Sequence, residues 1–143
     1  MKRAITICIL LFEIALCSFA QGPKVDSLRQ VAKQHPKDTT GVNALLGLAS
    51  EFLRTDLEEA KSLAFQAVPL ADSLKQLRGL SVAYLYLVVI YQNAAQQDSA
   101  VYYLDQLKAL AEANPSDWKL VVNYNQSAGL YYKNQGNYNK ALP

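Results

Sequence analysis

At 143 residues, with 51 % apolar and 18 % charged residues, the chain is long enough for one domain whose core needs neither a metal nor an obligate partner. Fourteen basic and twelve acidic side chains give a net charge of +2, which excludes the dense basic footprint of a nucleic-acid or anionic-membrane binder.

Lys2 and Arg3 precede an apolar run from Ala4 to Phe12 broken only by Thr6, and Ser18-Phe19-Ala20 puts small residues where a signal peptidase cuts. This pattern predicts a secretory signal over residues 1–20, cleaved after Ala20, and export to the periplasm or envelope of a Gram-negative bacterium. Glu13 interrupts the apolar stretch, so the alternative is an uncleaved membrane anchor. Leu16 is too large to precede a lipidated cysteine at position 17. Both cysteines, Cys8 and Cys17, fall inside the signal, leaving a mature chain without disulfides, zinc-thiolate sites or cysteine nucleophiles. Removing Lys2, Arg3 and Glu13 leaves 12 basic and 11 acidic side chains, a mature net charge of +1.

From Pro23 onward, apolar residues recur at three- and four-residue spacing, which predicts helices throughout. Residues 21–38 hold a short helix on Val25, Leu28, Val31 and Ala32, ended by His35-Pro36. Asp38-Thr39-Thr40 offers cap oxygens to a second helix reaching Arg54, with Val42, Leu45, Leu48, Ala49 and Phe52 on one stripe. Asp56 and Glu59 have capping-box spacing and open a helix through Ala60, Leu63, Ala64 and Ala67. Pro69 falls in this helix at a cost of about 3 kcal/mol for a regular interior, so a kink is expected, with Leu70, Leu74 and Leu77 carrying the stripe onward. Further helices are expected over about 80–94 and 98–113, from near Asp117, and after Gly136-Asn137.

The helix pairs repeat, giving units of about 40–77, 78–115 and 116–143. The third reads Ala128-Gly129, Tyr132, Gly136, Tyr138 and Ala141; the second Tyr84, Leu87-Val88, Tyr91, Ala100 and Leu104; the first Leu45, Leu48-Ala49, Phe52, Ala60 and Ala64, with one residue fewer in its turn. Small residues such as Ala49 and Gly129 allow two helices to cross closely, with Ala60, Ala100 and Ala141 at the matching place on the partner helix. These markers resemble the tetratricopeptide repeat, at a period longer than its usual ~34 residues. The resemblance implies an all-α superhelix of antiparallel helix pairs, a TPR-like α-solenoid of about two and a half repeats. It extends less specifically to the exported repeat regions of Bacteroidetes sensor proteins of the histidine-kinase type, although no kinase residues are present here. The last unit lacks most of its second helix, so the chain is expected to be the N-terminal part of a longer polypeptide or a truncated gene product, and its open end would allow self-association.

Catalysis is not expected. His35 is the single histidine and lies in a loop, Glu58 and Glu59 point in different directions at a helix start, and Asp98, Asp105 and Glu112 line one solvated face at seven-residue spacing. No nucleophile elbow, phosphate loop or dinucleotide fingerprint is present, and neither a metal nor a cofactor is implied.

In tetratricopeptide arrays the first helices of successive units line the concave face. Carried over, the resemblance places ligand contacts at Asn43, Ser50 and Arg54, at Tyr86, Gln92 and Asn93, and at Asn123, Gln126, Ser127, Lys133 and Asn134. Their amides can donate and accept, as a peptide backbone requires. The expected partner is a protein or peptide, feeding a sensor or a scaffold; the alternatives are a free-standing structural adaptor of the periplasm and a helical-repeat binder in carbohydrate uptake.

Overall fold

A computed structural model describes residues 22–141, so residues 1–20, expected to be a secretory signal, lie outside the described residues. Among the described residues there are seven helices in order: α1 Pro23–Gln34, α2 Thr39–Phe52, α3 Leu57–Ser73, α4 Leu77–Asn93, α5 Gln97–Ala113, α6 Trp118–Asn134 and the short α7 Tyr138–Ala141. Each packs on the next, and α2, α4 and α6 also touch one another in sequence, so the array is all-α and solenoid-like. An inner layer of α2, α4 and α6 results, with α3 and α5 outside it.

Local chemistry sets the helix boundaries. Asp38 Oδ1 accepts from the backbone N–H groups of Thr40 and Gly41 at 2.8 and 3.0 Å, capping α2. Asp56 Oδ1 accepts from Glu59 N–H at 3.0 Å, while the Asp56 N–H bonds back to the Phe52 carbonyl, so only half of the capping box forms. Pro69 sits inside α3, which continues to Ser73 on an exposed side where water can replace the missing donor. The stripe expected to run past it stops sooner: Leu74 is the C-cap and Leu77 opens α4.

Two turns between the helices of a pair close identically. Ala95 and Gly136 each adopt a left-handed backbone, with φ of 56° and 71°. In each, the next residue's N–H reaches a carbonyl five residues back, Gln96 to Tyr91 and Asn137 to Tyr132, at 2.9 Å. This is the Schellman closure, which satisfies carbonyls at the helix end. Lys75, at φ 52°, ends α3 in the same way.

The interior is built on α4, whose Leu87, Val88 and Ile90 are almost wholly buried. Val42, Leu46, Ala67, Ala71, Leu80 and Ala83 form one cluster between the first and second pairs. Val25, Leu48, Ala49 and Leu63 form another beneath α1, flanked by Phe52. Val88, Leu104 and Ala128 join the second and third pairs, with Tyr132 packed alongside. Ala60 and Ala100 have no exposed surface, and a Cβ added at Gly129 would lie 3.2 Å from the Ala141 carbonyl, so small residues stand where helices approach closely. Helix α1 covers the open side of α2 through Lys24 and Glu51, 2.6 Å apart, and Arg29 above the Phe52 ring.

The left-handed turn yields a first prediction. Ala95→Gly removes a Cβ penalty and stabilises the fold by about 1 kcal/mol, whereas Gly136→Ala destabilises it by about as much; urea titration followed by circular dichroism reads both.

The Asp38 cap yields a second. His35 Nδ1 lies 2.8 Å from Asp38 Oδ2, and this contact, followed by the Gly41 N–H, holds the Asp38 carboxyl below its ordinary value. A lowered folded value means that the stabilisation is in place above about pH 4 and is lost as pH falls through the folded pKa. Asp38→Asn flattens that part of the stability curve, as urea midpoints measured between pH 2 and 6 will show.

Candidate functional site

The inner layer is tied together at the N-terminal ends of its helices. Gln76, the N-cap residue of α4, makes no cap bond with its side chain and instead donates from Nε2 to Asn43 Oδ1 on α2 at 3.0 Å. Asp117, the N-cap residue of α6, both caps Lys119 N–H at 3.2 Å and accepts from Arg78 Nε on α4 at 2.9 and 3.2 Å. In each case the residue that opens one inner helix reaches back to the inner helix before it. A third link runs from Asn123 Nδ2 to the buried Ser81 Oγ at 2.8 Å, and Ser81 in turn donates to the Arg78 carbonyl at 2.9 Å.

Between these links lies a groove of about 510 Å³. Leu46, Gly79, Val82 and Val122 provide its apolar surface, Asn43, Gln76, Asn123 and Gln126 its amides, and Arg78, Trp118 and Lys119 one charged and aromatic flank. A Cβ at Gly79 would come within 2.9 Å of Val42 Cγ1 and 3.1 Å of Gln76 Cδ, so glycine there permits the close approach of α2 and α4. Trp118 is 64 % exposed, and Lys119 Nζ sits 5.6 Å from its ring centroid. The Arg78 guanidinium, then the Lys119 N–H, hold the Asp117 carboxyl below its ordinary value, keeping it ionised. Among the described residues no Asp, Glu, Ser, Cys or His lines the groove.

Of the sequence-predicted contacts, Asn43, Asn123 and Gln126 meet in this groove. Ser50, Arg54, Asn93, Lys133 and Asn134 are exposed but lie outside it, toward the C-terminal ends of the inner helices. Three others are placed differently. Ser127 is buried and its hydroxyl has no hydrogen-bond partner in the protein, so it faces the interior. Both side-chain polar atoms of Gln92 are likewise shut away without a partner. Tyr86 packs against the clusters that join α1–α4 and is half buried. The groove residues that sequence reasoning missed are Leu46, Gln76, Arg78, Gly79, Val82, Trp118, Lys119 and Val122. A signal was available in the first turns of α4 and α6, where Arg78 and the chain's single tryptophan precede the apolar stripe.

On the outer side, Tyr103 organises a second aromatic group. Its ring stacks on Tyr91 at 5.7 Å and 4° and meets Phe65, Tyr84 and Tyr102 at 6.2, 5.9 and 5.0 Å. Burial raises the Tyr84 and Tyr103 hydroxyl pKa values, as expected of rings held in packing.

Among the described residues no group of three or more His, Cys, Asp or Glu is placed to hold a metal ion, and no helix is long and apolar enough to cross a membrane. No protein-family model, curated protein or solved structure matches the chain.

The Asn123–Ser81 bond is partly buried and joins two inner helices, so it can be measured separately. A double-mutant cycle of Ser81→Ala and Asn123→Ala should give a coupling of about 1 kcal/mol; a cycle that closes to zero would show that this bond does not join the helices energetically.

Proposed function

We propose that the chain is a non-catalytic, exported binding module of the tetratricopeptide type, which holds a protein or peptide partner on the inner layer of its helix array in the cell envelope. The observation that carries this reading is the groove itself. It spans three inner helices, offers an apolar surface beside an exposed tryptophan, and surrounds both with side chains that donate and accept. A peptide presents the same mixture, alternating backbone donors and acceptors with apolar side chains. Among the described residues the lining holds Lys119 but no carboxylate, histidine, serine or cysteine to act with it as a general acid–base pair.

Trp118 is the single tryptophan and lines the groove, so it reports occupancy. Peptides selected from a random display library on the purified chain should shift Trp118 emission to shorter wavelength. They should bind Val82→Glu about tenfold more weakly or worse, because that change places a charge on the groove's apolar surface. Equal affinity for the variant, with unchanged emission, would move binding to another surface.

A further inference from the structure

The large apolar side chains that remain exposed among the described residues gather in two places. Phe65, Val101 and Tyr102 lie on the outer helices α3 and α5, and Trp118 and Val122 line the groove; only Leu74 and Leu130 fall outside these patches. Exposed apolar surface concentrated in this way marks an interaction site more often than scattered single residues do.

The two patches carry opposite charge. On α5, Asp98 precedes Tyr102 by four residues and Asp105 follows it by three, with Val101 beside it, so two carboxylates bracket an apolar pair on one helix face. All four are exposed, and neither Asp98 nor Asp105 has a salt-bridge partner among the described residues. In the groove the signs are reversed: Trp118 lies with Arg78 and Lys119, and Val122 follows one turn along α6. Arg78 gives Asp117 only its Nε proton, leaving the outer guanidinium nitrogens for another acceptor.

We propose that the groove of one chain receives the outer face of α5 from a second copy, with Val101 and Tyr102 against Trp118 and Val122 and with Asp98 and Asp105 toward Arg78 and Lys119. This names a partner for the groove and rests on the reading of that groove as a protein-binding surface. Because groove and ridge occupy opposite layers of one chain, the contact is heterologous: each added copy leaves one groove and one ridge open, and assembly grows head to tail. The ion pairs lie at the rim of the contact, so salt weakens the assembly, with a screening length of about 10 Å at 0.1 M.

Sedimentation velocity of the full chain over a concentration series tests the proposal. The wild type should pass beyond dimer as concentration rises and fall back toward monomer in high salt. Asp105→Lys and Lys119→Glu alter exposed side chains, so both should fold normally by circular dichroism, and each should weaken assembly about tenfold or more. Mixed in equal amounts, the two variants should assemble again, because the first keeps an intact groove for the second's intact ridge and the exchanged charges at positions 105 and 119 attract at the other contact. A wild type that stays monomeric to millimolar concentration, or a mixture that does not assemble, overturns the proposal. If peptides still shift Trp118 emission in that case, the self-contact alone has failed; if they do not, the groove reading fails as well.

Discussion

Helix α4 has to be surrounded for the array to exist. It packs against α2 and α3 of the preceding pair, α5 of its own pair and α6 of the following one, and its Leu87, Val88 and Ile90 are almost without exposed surface. Burying each such side chain contributes about 1.5–3 kcal/mol relative to leaving it in water. The same residues also determine position, because a helix held on four sides cannot slide relative to any one neighbour without opening a cavity. The units on either side are therefore registered through α4, and the inner layer inherits that register.

The groove follows from how the register is completed. Apolar contacts fill the middle of the inner layer, while its N-terminal ends are joined by Gln76 to Asn43, Asp117 to Arg78, and Asn123 to Ser81. These polar links hold the first turns of α4 and α6 beside the preceding helix, and the space between them remains open. Asp117 shows the economy of this arrangement, since one carboxylate caps its own helix and orients a cation on the helix before it. The groove and the fold thus share residues at this end, with Arg78 both a tie between units and part of the groove's positive flank.

The sequence was most legible where one residue decides the outcome. Apolar spacing located the helices, and Asp38 and Asp56 marked two starts. Pro69 did not end its helix, which runs on to Ser73 with the proline on the exposed side. The groove was less legible because periodicity places amide side chains on a helix face without showing how the helices cross. Gln92 and Ser127 turned inward, Tyr86 joined two apolar clusters, and Trp118 with its neighbouring cations formed the flank instead. Whether a first-turn side chain meets a neighbour or a groove is set by how adjacent inner helices approach. At Gly79 that approach depends on the absence of one Cβ, which periodicity does not register.

The most direct test of the central claim, that the inner layer's N-terminal half is the binding surface, is amide hydrogen exchange with and without a saturating peptide, at a concentration where the chain is monomeric. The account predicts slower exchange in the first turns of α4 and α6 and around Asn43 in α2, with α3 and α5 unchanged. Protection confined to the outer helices, or to α6 near Asn134 and α7, would contradict it.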